Sequence, residues 1–263
     1  MSRAVRADMS VFSVGGTSVL ALAKNVQFEF TNDTEDGKSI ATRGSRHDIV
    51  KQSAKITTGI MSNIGGGGSD ARVTNFDITN VTIDSVEYVT LQRGGSLTVT
   101  NKYVEGSGAA DRWKVPIYES HEIVIKTKIG VATAAFPTIG GKVDAALTGH
   151  QVTVSLVIGS TTITGPFLIK SISHMFTEGE IQVLDCEFVQ RGALTTSPST
   201  PNLFAYALTD QGTALALALT SRSSNGAAYT CDGHIESMSF SFDDAKIIET
   251  QYTFISTGAV AVA

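Results

Sequence analysis

Cysteine is scarce. Cys186 and Cys231 are the only two in 263 residues, too few for a disulfide framework or a four-ligand zinc set. Two small buried thiols are the favoured reading, one disulfide the alternative. Tryptophan occurs once, as Trp113 between Arg112 and Lys114. That leaves no cluster of exposed aromatics for gripping sugars, and no aspartate-rich loop follows to hold calcium. Positive charge is not in excess: 20 lysines and arginines stand against 25 acidic residues, a net charge of -5. This argues against a protein that grips nucleic acid by neutralising phosphates, though not against one past which nucleic acid slides. No apolar run reaches the roughly 20 residues of a membrane-spanning helix, and ALALAL at 214–219 is far too short. Arg3 and Arg6 followed by VFSVGGTSVLALA imitate a signal peptide, but glycines, serines and a threonine break the apolar stretch, so no signal peptide is expected.

Catalytic signatures are equally thin. NIGGGGSD lacks the lysine of a phosphate-binding loop, and no G-x-S-x-G motif occurs. The histidines at 47, 121, 150, 174 and 234 show no metal-binding spacing. Cys231-Asp232-Gly233-His234 places two ligand types together, but two do not make a site. The pairs Glu178/Glu180 and Asp243/Asp244 fall in turns, where acidic residues serve backbone conformation. Asp185 and Glu187 share a strand face but have no evident pocket for acid–base work. Arg43, Arg46, His47 and Lys51 are interleaved with Asp36 and Asp48, which is no nucleic-acid stripe. The chain is expected not to be an enzyme, and to need no cofactor and no metal.

What is present is alternation. With 42% hydrophobic and 17% charged residues the chain is globular. NVQFEFT, SLTVTN, HEIVIKTKI and QVTVSLVI alternate with period two and are rich in β-branched residues, which predicts strands. Pro201 followed by NLFAYALT predicts one short helix capped by Thr200, and a helical turn is expected near 48–53. Residues 31–48 and the glycine-rich 62–71 are expected to be loops. GALTTSPSTPN, 192–202, is the best boundary, dividing a main lobe, 1–197, from a C-terminal lobe, 198–263.

The C-terminal lobe repeats a module. IKSISHMFTEGEIQVLDCEFVQRGA, 169–193, aligns without a gap with IESMSFSFDDAKIIETQYTFISTGA, 235–259, at 8 identities in 25 columns; chance gives roughly one or two. Each copy reads as a β-hairpin with one greasy face and one small or acidic face. Phe176, Phe188, Phe242 and Phe254, with Cys186 and Tyr252, are assigned to the core. Asp185, Glu187 and Glu249 fall on the opposite face.

The segment GHIESMSFSFDDAKIIETQYTFISTGA resembles the closing hairpin of the tail tube (major tail) proteins of tailed bacteriophages. PFLIKSISHMFTEGEIQVLDCEFVQRG looks like the same element, and KNVQFEFTNDTEDGKSIATRGSRHDIVKQSAKITTGI is similar to that family's first strand, polar loop and second strand. Together these cover about 90 of the 263 residues. The resemblance implies a mainly β fold: an antiparallel β-sandwich of the tail-tube type, here with a duplicated hairpin, long loops and one short flanking helix. It implies a structural virion protein whose hexameric rings stack into a tube in the phage tail, assembled in the host cytoplasm. Implied partners are further copies of the chain, the tape measure, the terminator, the baseplate hub and, in contractile tails, a sheath. DNA would be only non-specific cargo during genome ejection, and no membrane is involved. On this reading Asp33, Asp36, Arg43 and Arg46 belong to an inter-ring loop, and Asp185, Glu187 and Glu249 face the lumen. The alternatives are a baseplate, tail-terminator or related injection-machine component, and a carbohydrate-binding or adhesion sandwich.

Overall fold

The computed structural model describes residues 9–18, 23–37, 46–61, 78–88, 90–108, 111–130, 151–158, 161–175, 177–179, 183–197, 203–209, 212–221, 227–242 and 249–263. The protein is mainly antiparallel β-sheet. The first strands are β1 (Met9–Val14), β2 (Thr17–Ser18), β3 (Ala23–Gly37) and β4 (Arg46–Met61). The middle of the chain supplies β5 (Ile78–Ile83), β6 (Val86–Tyr88), β7 (Thr90–Glu105) and β8 (Pro116–Gly130). It continues with β9 (Gln151–Ile158), β10 (Thr161–Met175), β11 (Val183–Gln190) and β12 (Thr195–Ser197). A short helix, α1 (Leu203–Thr209), precedes β13 (Leu215–Ser221), β14 (Ala228–Phe242), β15 (Glu249–Ser256) and β16 (Ala261–Val262).

Strand pairing divides the chain differently from the expected boundary at 197/198. One unit is continuous, β5 to β12. The other is assembled from both ends: β1 pairs with β13 and β4 pairs with β15. Residues 9–61 therefore belong with 215–262 rather than with the middle of the chain. The two hairpins that repeat in sequence are the closing hairpins of these two units.

The two units share their registers, not merely their outline. Ile169 faces Phe188 in one and Ile235 faces Phe254 in the other, each pair displaced by sixty-six residues. The register then slips at the same place, between Ile169 and Ser171 and between Ile235 and Ser237, so Lys170 and Glu236 are the bulged residues. β12 lies on β10 through Thr195↔Thr164 as β16 lies on β14 through Ala261↔Thr230. The early strands repeat too, sixty-nine residues apart: Phe28↔Ile56 corresponds to Leu97↔Ile125. Even the tight turns match. Gly15 and Gly16 turn β1 into β2 with φ of 58° and 77°, and Asp84 and Ser85 turn β5 into β6 with φ of 48° and 68°. Two successive positive φ values are what a two-residue hairpin of this twist requires. The Asp84 carboxylate accepts from the Thr153 N–H at 2.8 Å, which holds a non-glycine residue in that conformation.

Each unit is a sandwich. Its long sheet has four strands, β3-β4-β15-β14 in one and β7-β8-β11-β10 in the other, joined through a β14–β7 seam. Its short sheet, β2-β1-β13 or β6-β5-β9, hangs on the N-terminal half of the same long strand, β14 or β10. The bulges fall between those halves, where a strand changes sheets. Buried Phe12 and Leu217 from one short sheet and Tyr252 and Phe254 from the long one lie in a single hydrophobic cluster, with Val154, Cys186 and Phe188 of the other unit.

Two local expectations are corrected. Residues 48–53 form part of β4, not a helical turn. Most of 31–48 is a paired ribbon, from Thr31↔Ser53 to Gly37↔Arg46, not a loop. Thr31 to Glu35 are all exposed, so the ribbon stands clear of the core and no hydrophobic alternation marks it. The expected helix forms as α1; its proposed cap, Thr200, and Pro201 lie outside the described residues, as does 62–71.

Candidate assembly surface

Five side chains come closest to a chemical site. Tyr103 donates to the Ile235 carbonyl at 2.9 Å, where Asn101 Nδ2 also donates at 2.6 Å. The Tyr103 ring stacks on His234 at 5.3 Å between centroids, and Tyr118 hydrogen-bonds His121 beside it. Burial pushes the Tyr103 hydroxyl up to about 12, so it stays protonated and serves as a donor. The gap beside Asn101, Tyr103, Tyr206 and Ile235 leaves no room for a water molecule. This cluster is a polar clamp between β7 and β14.

The cysteines are free thiols. Cys186 is buried and pushed up to about 12, and half-buried Cys231 to about 11, chiefly by burial. Thiols held this far into the neutral form are poor nucleophiles and metal ligands. Among the described residues no three metal-ligating side chains gather, and no helix is long and apolar enough to cross a membrane.

The long sheet has one face in the core and one polar face. Ser171, Ser173, Ser237 and Ser239 lie on the polar face, partly or wholly exposed. Asp185 and Glu187 share it on β11. Neither is an isolated negative charge. The Glu187 carboxylate accepts from Lys170 Nζ at 2.8 Å and lies 3.7 Å from Lys126 Nζ. The Lys170 hydrogen bond holds Glu187 below the usual carboxylate range. Asp185 stands opposite Lys128 in the strand register, and Lys55 pairs with Glu236 at 2.5 Å. Charges of both signs thus alternate on a serine- and threonine-rich wall, so it is not the uniformly acidic surface that Asp185, Glu187 and Glu249 suggest by themselves. Glu249 opposes Met61 in the β15–β4 register; its side chain lies outside the described residues.

Phe188 and Phe254 are both fully buried, with Cys186 and Tyr252 beside them. Phe176 lies outside the described residues, and Phe242 is described only by its backbone pairing with Gly95. Of the expected inter-ring residues, Asp33 binds Lys114 at 2.6 Å. That contact joins the β3–β4 ribbon to the loop after β7. Lys51 reinforces it by binding Glu105 and Ser107, and backbone bonds tie Gln52 to Arg112 and Lys114. Asp36 and Arg46 are placed only by their pairings with His47 and Gly37, and Arg43 lies outside the described residues.

The feature sequence reasoning missed is the pair of open edges. β3 pairs only with β4. The C-terminal half of β10 has β11 on one side, while β9 stops at Leu168 on the other. No strand among the described residues covers either edge. The signal was present in the sequence as the second, weaker repeat that links 31–60 to 100–129.

No family model matches the chain, and no curated protein matches it. Among solved structures, one chain from the virion of a native gene transfer agent particle is similar at 15% identity and a TM-score of 0.35. The overlap covers 44% of this chain and 95% of that one. A chain from the tail of an empty gene transfer agent particle, determined by helical refinement with C6 symmetry, is similar at 12% identity and a TM-score of 0.25. It covers 68% of this chain and 84% of that one.

Proposed function

We propose that the chain is a structural subunit of a phage-type tail tube, which stacks in rings around a channel that conducts DNA. The observation that carries this reading is the β14–β7 seam. There the long sheets of two like units join edge to edge into one continuous eight-stranded sheet. A tube wall is that join repeated until the sheet closes. The resemblance of the closing hairpins to tail tube proteins supports the same reading. On it, the polar face of the long sheet lines the channel. A wall of hydroxyls and paired charges suits a conduit: it presents no basic stripe to hold phosphates, and its opposed charges cancel within a screening length of about 8 Å. The chain acts in the virion, contacts other tail proteins at the ends of the tube, and performs no catalysis.

Electron microscopy of the purified protein tests this directly. Hollow tubes of stacked rings are expected. Single rings that never stack would favour the terminator or baseplate alternative, and monomers at every concentration would sink both.

A further inference from the structure

The seam inside the chain specifies the seam between chains. Ser237 to Phe242 of β14 pair with Thr100 to Gly95 of β7. The repeat carries β14 back onto β10 and β7 back onto β3. Among the described residues the counterparts of the two seam strands are therefore Ser171–Met175 and Val26–Thr31, which are the two open edges. Exposure gives an independent sign that something belongs there. Leu97 and Val99, on the seam strand β7, are 0% exposed. Their counterparts on β3 are Phe28, only half-buried, and Phe30, 44% exposed. Met238 of the seam is fully buried, whereas its counterpart Ile172 is half-buried. Phe28 and Phe30 pack on Tyr229 of their own unit, yet these apolar side chains stay more exposed than their counterparts in the seam.

We propose that the occupant is a second copy of this chain, whose β3 edge pairs antiparallel with the open half of β10. The register follows from the seam: Ser171 opposite Thr31, Ile172 opposite Phe30, and Ser173 opposite Glu29. Phe30 then covers Ile172 as Val99 covers Met238. The contact is head-to-tail, because the two edges differ, so each chain offers one of each and the assembly propagates in one direction. An open pair of this kind is a hazard unless a specific partner claims it. The docking rests on the strand registers and on the exposure of the edge side chains. The number of copies rests in addition on the six-membered ring that the tail tube resemblance implies: filled by units, at two units per chain, that ring holds three chains and not six.

Two engineered cysteine pairs test both statements. Ser239→Cys with Thr98→Cys probes the internal seam, and Ser173→Cys with Glu29→Cys probes the proposed one, each in assembled protein under mild oxidation. On a denaturing gel, the internal pair should close within single chains. The external pair should give covalent species of two and three chains and nothing larger. If the internal pair closes and the external pair links no chains, the docking is wrong. A ladder that runs past three would overturn the three-chain count, and with it the six-unit ring, while leaving the edge pairing in place.

Discussion

At the scale of single residues the duplication is a controlled comparison. Phe188 and Phe254 occupy one structural position twice, both fully buried in the same cluster. Truncation to alanine should cost about 3–5 kcal/mol at either site. Chemical denaturation would measure it, and a loss under 1 kcal/mol at one site would show that the two positions are not equivalent. Buried acids make a second, separable prediction. Tyr103 and Cys186 are pushed up to about 12 and Cys231 to about 11, chiefly by burial. Unfolded thiols ionise near pH 8.5 and unfolded phenols near 10. The folded state holds these groups neutral, so their contribution is complete below about pH 8.5. It is lost as pH rises from there towards 12. Denaturation midpoints should fall steadily between pH 8.5 and 11, and Cys186→Ala should flatten the lower part of that decline. A midpoint indifferent to pH across this range would contradict the burial of the thiols.

At the scale of elements, the bulges matter more than any turn. Glu236 is the extra residue that lets β14 face one way against β13 and continue in register against β15 and β7. Deleting it shifts the preceding half-strand by one position, which turns every side chain to the opposite face. The deletion should abolish soluble folded protein. Glu236→Ala keeps the residue count and loses only an exposed ion pair with Lys55, so it should cost no more than about 1 kcal/mol. Circular dichroism and thermal melts of the two variants decide this; a well-folded deletion would mean that the register slip is incidental.

The same elements show what the sequence made legible. The 169–193 and 235–259 hairpins were visible because identical residues mark both faces, such as Ser171/Ser237 and Phe188/Phe254. The β3–β4 and β7–β8 pairs escaped notice because their core positions are filled by different apolar residues: Phe28 against Leu97, Ala54 against Ile123. A core position asks for volume and apolarity rather than for one residue type. Only a few identities survive there, among them Ile56/Ile125 and Thr58/Thr127. Strand pairing groups the chain differently from the 197/198 boundary for another reason. Composition marks where a chain is flexible, whereas a unit built from both termini is defined by long-range pairing. The 31–48 ribbon was illegible because a strand outside the core has no burial to impose a pattern.

At the scale of the whole molecule, the chain is two units with one seam already made. Folding closes that seam once, within the chain, so its strands meet without the translational and rotational cost of bringing separate molecules together. In the proposed assembly only the remaining seams depend on concentration. Because each chain carries one copy of each edge, a subunit with a spoiled β3 edge and an intact β10 can still enter a ring, and once inside it leaves that ring unclosed. Phe30→Asp would make such a subunit. In the proposed three-chain ring, mixed at random with normal protein, the fraction of intact rings falls as the cube of the normal fraction. Light scattering of mixtures should therefore show assembly lost much faster than variant is added, the signature of a dominant poison; a loss merely proportional to the variant would mean that spoiled subunits are turned away at the edge. In the proposed assembly, joining two units in one chain concentrates the vulnerability of the ring into fewer joints, each of which a single faulty molecule can block.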